Sequence, residues 1–226
     1  MIKLVLFDMD GTLLDTEMFS IISKVEEGKK FGYQVKPKHC KNTFGMSSEN
    51  SKKYLQSIYG TEFPYEYMCS KRFDYIFEDV KKNGIKLKKG ANEIIAFCKE
   101  NSIKIAVCTS SNSRYIKEYN KYTDLFTKFD LILTGDLITH GKPDPEIFLK
   151  AIDFFQEEPS NTLVIEDSNN GAIAGLNALC QVIFIKDLVS PSKEVKKSRV
   201  KILNSLLDVI EYIKRENSKE NNHGNN

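Results

Sequence analysis

An excess of charge of one sign is almost missing from this 226-residue chain, in which 33 Lys and Arg face 31 Asp and Glu for a formal net charge of +2. Proteins that hold nucleic acid gather basic residues on one face, whereas here the lysines are interspersed with acids, so nucleic acid is not an expected partner. The locally basic run from Lys193 to Lys201 reads as a solvated helix face. Cysteine pairs are missing too. Cys40, Cys69, Cys98, Cys108 and Cys180 are scattered and form no CxxC, which excludes a disulfide scaffold or zinc knuckle and fits buried thiols in a reducing compartment. No apolar run approaches the length needed to cross a bilayer, so no membrane is expected. The chain enters Ile2 to Phe7 without the apolar region and cleavage site of a signal peptide, which makes the cytoplasm the expected location.

With 41% hydrophobic and 28% charged residues the chain has the composition of a folded globular protein. Its length accommodates one substantial core with a smaller insert. Short apolar runs mark the strands: Lys3 to Phe7, Ile103 to Cys108, Phe129 to Leu133, Leu163 to Ile165 and Val182 to Ile185. Between them lies helical spacing, as in Ala91 to Cys98 and Pro145 to Phe155, and later in Leu203, Leu206, Leu207, Ile210 and Ile213. Such alternation predicts an α/β fold with a parallel sheet covered by helices. Residues 1–14 and 89–216 are read as this core. Residues 15–88 carry mostly helical patterns and are read as a small inserted helical domain, too long for a simple crossover. The polar, Asn-rich stretch 217–226 has nothing to bury and is expected to be a disordered tail.

Ligands of parallel sheets collect beyond the carboxyl ends of the strands, and the unusual polar residues fall there. After the first strand comes Asp8-Met9-Asp10-Gly11-Thr12. Alternate residues of an extended chain face one side, so Asp8 and Asp10 can share a site with Met9 turned away. Two close carboxylates resist ionisation without compensation, and a hard divalent ion such as magnesium supplies it. Gly11 permits a sharp turn, and a simple hydrogen-bonded loop is the alternative reading of the segment.

Thr109-Ser110-Ser111-Asn112, after the second strand, offers hydroxyls and free amides to phosphate oxygens, or a helix cap from Ser111 or Asn112. Lys142 stands between Gly141 and Pro143, with Pro145 close by, a rigid setting for an ammonium that could neutralise a phosphate and a carboxylate. Glu166 and Asp167 leave the fourth strand as adjacent carboxylates, costly to bury without a metal or donors. Asp167 is the stronger metal candidate, with Glu166 as a further direct or water-mediated ligand, and Gly171 lets the following segment pass close by.

These four ordered segments resemble the motifs of the haloacid dehalogenase superfamily, and the helical insert resembles the cap of the branch containing beta-phosphoglucomutase and many sugar-phosphate phosphatases. The resemblance implies a Rossmann-like core and a magnesium-dependent phosphatase acting on a small phosphorylated metabolite such as a sugar or polyol phosphate; the chain itself is expected to be a monomer. It implies that Asp8 attacks phosphorus and that Asp10 serves as acid and then base. It has Thr109, Ser110 and Lys142 holding the phosphoryl group, and Asp8, the Asp10 carbonyl and Asp167 organising Mg2+. The mutases of that branch carry a cap histidine where this chain has Ser20, and a cap arginine where Ser48 follows Gly45-Met46-Ser47. Serine offers neither a group that titrates near neutrality nor a guanidinium fork, which favours hydrolysis over phosphomutase chemistry. Ser20, Gly45, Met46 and Ser47 are the candidate substrate residues of the insert. Leu179 stands where relatives end the helix after the fourth motif in glycine, so an altered helix end is expected there. A noncatalytic ligand- or protein-binding module on the same fold is the reading from another class.

Overall fold

The computed structural model describes residues 1–44, 46 and 48–223. The chain divides into two compact units, residues 1–14 with 87–226, and residues 15–86.

The first unit is built on six parallel strands, β1 (Leu4–Phe7), β2 (Lys104–Cys108), β3 (Leu131–Leu133), β4 (Thr162–Glu166), β5 (Gln181–Ile185) and β6 (Lys201–Leu203), in the order β3-β2-β1-β4-β5-β6. Leu4, Val5, Leu6 and Phe7 are all fully buried, as parallel strands covered on both faces require. β1 lies at the centre with Phe7 level with Val107 on one side and Ile165 on the other. Asp8, Thr109 and Asp167 therefore leave the sheet at the same end, at the point where the strand order reverses.

The second unit carries α1 (Met18–Lys30), α2 (Pro37–Lys41), α3 (Ser48–Tyr59), α4 (Tyr65–Ser70) and α5 (Arg72–Asn83) around Ile21, Val35, Cys40, Leu55, Phe63, Tyr65 and Met68. Tyr65 is buried in this core, while Phe31, Met46 and Tyr67 are exposed.

The helices of the first unit are α6 (Ala91–Glu100), α7 (Ser113–Tyr119), α8 (Glu146–Phe155), α9 (Asn169–Asn177), α10 (Lys193–Lys197) and α11 (Leu206–His223). Ile94, Ile95 and Cys98 form the buried stripe of α6 expected from their spacing. On α8 the buried set is Ile147, Phe148, Ala151 and Ile152, with Phe155 only half-buried.

Three expectations change. Lys193 to Lys201 is not one helix face, because α10 stops at Lys197 and Lys201 opens β6. Leu203 ends β6 rather than starting the last helix, since Ile183, Phe184 and Ile185 pair with Lys201, Ile202 and Leu203. Structure also continues beyond residue 216, as α11 runs to His223. Its polar end is tied by Asn217, whose side chain accepts from the Ile2 amide at 2.7 Å and donates to the Ile2 carbonyl at 3.2 Å. A paired backbone edge substitutes there for apolar burial.

Candidate active site

β1 delivers two carboxylates into a turn. The Asp8 amide still donates to Ile165 across the sheet at 3.0 Å, and the chain then folds back as Leu13 and Leu14 donate to the Met9 carbonyl. Gly11 carries the positive φ of 83° this turn demands. Met9 is fully buried, whereas Asp8 and Asp10 each keep 8% exposure, the alternation expected of an extended segment.

Lys142 is the hub. Its ammonium donates to Asp8 Oδ1 at 2.7 Å, Glu166 Oε1 at 2.6 Å and the Cys108 carbonyl at 2.8 Å. Those three bonds use every proton the ammonium has. Burial opposes its charge, but Asp8 and Glu166 outweigh that penalty and hold it protonated well above the ordinary lysine range. Asp8 shows the opposite balance. Burial pushes its pKa up to about 8, with Lys142 pulling it down and the Glu166 and Asp10 charges adding repulsion.

The loop that presents Lys142 is fixed by more than its prolines. Glu146 accepts from the amides of Thr139 at 2.9 Å and His140 at 2.7 Å, and pairs with Lys150 at 2.7 Å. The Lys150 pairing, followed by those two amides, lowers the Glu146 pKa to about 2. Pro145 sits at the cap position just before α8, and the Lys142–Pro143 bond is cis.

Beside β1, the Thr109 hydroxyl accepts from the Ser111 amide at 3.1 Å. Thr109 is buried, whereas Ser110 is exposed. Neither Ser111 nor Asn112 makes the side-chain helix cap that the sequence allowed: Asn112 holds the cap position of α7 without such a bond. The Ser111 hydroxyl instead donates to Asp10 Oδ2 at 2.7 Å. Asp136 binds the Ser113 amide at 2.8 Å and its hydroxyl at 2.6 Å.

On the other side, Asp8, Glu166 and Asp167 bring carboxylate oxygens within 4.8 Å of one another. All three are buried, Lys142 offsets part of their negative charge, and together they form a set of hard oxygen donors consistent with a divalent-cation site. The donor set fits magnesium. Glu166 has a second task, since Lys142 occupies one of its oxygens while the Ser168 amide and hydroxyl, at 3.2 and 2.9 Å, bind the other. Gly171 passes so close that an added Cβ would lie 1.9 Å from the Glu166 carboxyl carbon. Thr12, wholly buried, donates to Asp167 Oδ1 at 3.4 Å.

The structure thus gathers Asp8, Asp10, Thr109, Lys142, Glu166 and Asp167 at one end of the sheet. Asp10 lies outside the three-carboxylate group, tied instead to Ser111. In the helical unit the Ser20 hydroxyl accepts from Lys24 Nζ at 2.9 Å. Gly45 and Ser47 lie outside the described residues, and Met46 is 40% exposed. Sequence reasoning missed the Ser111 contact to Asp10 and the Glu146 clamp. A glutamate just after a proline that opens a helix is a local signal that could have found the second.

A central strand tip bearing a lysine-held aspartate beside a carboxylate cluster, on a parallel sheet whose order reverses there, defines an aspartate-based hydrolase. The chain belongs to the haloacid dehalogenase-like hydrolases, whose pattern matches residues 5–185. It is similar to a phosphorylated carbohydrates phosphatase of Thermotoga maritima, 29% identical over 180 residues, which span 80% of this chain and 83% of that one. It is also similar to (DL)-glycerol-3-phosphatase 2 of Arabidopsis thaliana, 28% identical over 220 residues, 90% of this chain and 87% of the relative. Among solved structures, beta-phosphoglucomutase from Clostridium difficile shares the fold at a TM-score of 0.74 and 22% identity, over 97% of this chain and 99% of that one.

Proposed function

We propose that this hydrolase is a magnesium-dependent phosphatase that cleaves a small phosphorylated metabolite, a sugar or polyol phosphate, through an aspartyl-phosphate on Asp8. The observation that carries the reading is Asp8 at the tip of the central strand, bound by Lys142 at 2.7 Å and grouped with Glu166 and Asp167.

Lys142 holds Asp8 Oδ1 and aims the carboxylate, whose other oxygen attacks phosphorus in line with the leaving oxygen. Asp10, fixed by Ser111, protonates that leaving oxygen and then takes a proton from the water that opens the acyl phosphate. Splitting hydrolysis this way lets one aspartate act as acid and then base. The Thr109 oxygen already accepts an amide proton, so its own O–H is available to donate to a phosphoryl oxygen, beside the exposed Ser110. Asp8, Asp167 and the Asp10 carbonyl would hold Mg2+, with Glu166 chiefly the counterion of Lys142. When bound, the cation supplies positive charge that favours the ionised nucleophile and stabilises phosphoryl oxygens. In the same reading the helical unit selects the substrate, with Ser20 and Met46 as candidate contacts.

Phosphate named in two relatives' activities, on a carbohydrate and on glycerol, supports this substrate class. The test is a panel of sugar and polyol phosphates with Mg2+, scored at once for inorganic phosphate and for isomerised sugar phosphate. Free phosphate is expected as the product, falling to background in Asp8→Asn or with chelator. Undiminished turnover by Asp8→Asn would reject the nucleophile, and isomer without free phosphate would assign a phosphomutase.

A further inference from the structure

At the opposite, amino end of the sheet the first unit has a cavity of about 280 Å3, lined by Ser160, Leu179, Cys180, Gln181, Arg199, Lys201 and others. Ser160 precedes β4, Gln181 opens β5 and Lys201 opens β6, so it lies a full strand length from Asp8 and Asp167. Its volume is just below the range of drug-sized ligand pockets, roughly 300–1,000 Å3, which suits a small ligand.

Its chemistry is divided. Gln181 forms part of a fixed floor: its amide nitrogen donates to the Ser160 carbonyl at 2.9 Å, and its oxygen accepts from Tyr212 at 3.1 Å. Two exposed cations, Arg199 and Lys201, stand over this floor, and among the described residues neither forms an ion pair. Lys201 lies 5.5 Å from the centre of the Tyr212 ring. The neighbouring carboxylate, Glu216, pairs with Lys219 at 2.8 Å and acts on Lys201 only through space, without an ion pair. The cations are thus available to an anion.

Leu179 supplies the other half. It is 69% exposed and held at a φ of 62°, a left-handed conformation that β-carbon sterics penalise in leucine. The conformation is that of the Schellman end of α9, where the Leu179 amide donates to the Leu176 carbonyl at 2.9 Å and the Cys180 amide to the Gly175 carbonyl at 3.1 Å, and this turn sets an apolar side chain on the rim beside two cations. Cys180 does not make the pocket a thiolate site, since burial pushes its pKa up to about 12 against the pull of Arg199.

We propose that this cavity binds a small amphipathic anion, its phosphate, phosphonate or carboxylate head on Arg199 and Lys201 and its apolar body against Leu179. Such a ligand fits both halves of the pocket, whereas an inorganic anion fits one. The site is separate from the catalytic end and stands independently of the reading given there.

The test is an amide-resolved NMR titration of the full chain with hexylphosphonate, using methylphosphonate as the control that has the same head without the body. Saturable shifts are expected at Leu179, Cys180 and Lys201, and they persist unchanged in Asp8→Asn. Affinity for hexylphosphonate should fall about tenfold or more in the Arg199→Gln/Lys201→Gln double variant, as loss of a charged partner predicts. Leu179→Gly separates fold from function: relief of the left-handed leucine should raise Tm by about 2–4 °C or more, while hexylphosphonate affinity drops toward that of methylphosphonate. Shifts confined to Asp8, Thr109 and Ser110, or equal binding by the double variant, would overturn the proposal.

Discussion

Replacing Gly171 with alanine adds one methyl group and should disable the site from outside it. Gly171 has no positive φ, so alanine is sterically allowed by its backbone, and in the first turn of α9, where the Gly171 amide donates to the Ser168 hydroxyl, alanine gains at most about 1 kcal/mol over glycine. Space is what forbids it: the new Cβ would fall 1.9 Å from both Cδ and Oε1 of Glu166 and 2.3 Å from Oε2. Glu166 has no exposure and cannot swing into solvent. Moving it breaks the 2.6 Å pair to Lys142 and the two bonds from Ser168. Separating a buried ion pair costs roughly 3–5 kcal/mol, so the helix gain offsets only a part and about 2–4 kcal/mol is lost. In a chain of this size 1 kcal/mol moves Tm by about 2–4 °C, which predicts a fall of roughly 5–15 °C. Lys142, freed from one carboxylate, would also aim Asp8 less well, so phosphate release should drop together with Tm. Calorimetry and steady-state kinetics on Gly171→Ala, repeated in a Glu166→Ala background, test both steps. The methyl should do little once the carboxylate is gone. An unchanged Tm and kcat in the single variant would refute the reasoning.

Two further outcomes follow from the site's neighbours. Ser111→Ala removes the 2.7 Å bond to Asp10, a charged hydrogen bond worth about 1.5–3 kcal/mol, so kcat should fall roughly 10- to 100-fold with KM little changed, and Ser111→Thr should restore it. Glu146 has a depressed folded pKa of about 2, so its contribution is present above the unfolded carboxylate value and is lost as pH falls from about 4.5 through about 2. Thermal melts across pH 6 to 2 should show Glu146→Gln losing less stability with acid than the parent; equal acid sensitivity would count against the clamp on Thr139 and His140.

The strand ends were legible because central parallel strands must be apolar on both faces, which leaves short unbroken runs such as Leu163 to Ile165 with polar residues at their exits. β6 escaped notice for the converse reason. Lys201, Ile202 and Leu203 form an edge only half covered, so no apolar run marks it, and Leu203 continues the helical spacing of the residues that follow. Of the site, the strand alternation correctly separates Met9 from Asp8 and Asp10, because that geometry is local. The partner of each carboxylate is a different matter. Ser111 and Asp10 are 101 residues apart, and Glu166 and Lys142 are 24 apart across two loops, so no spacing rule brings them together. Asn217 was read as part of a tail from composition alone, which registers missing apolar surface but not two hydrogen bonds to Ile2.

The sheet order has a bearing on how the chain comes to be made. β1 is the middle strand, yet its neighbours pair from Lys104 and Thr162 onward, so Leu4 to Phe7 leave the ribosome long before either flank exists. Pairings this remote in sequence form slowly, and an unpaired apolar strand is open to other chains meanwhile. Synthesis at lower temperature, which weakens apolar association while β1 waits for its flanks, should therefore raise the soluble yield of this protein more than it would for one whose central strand is made last.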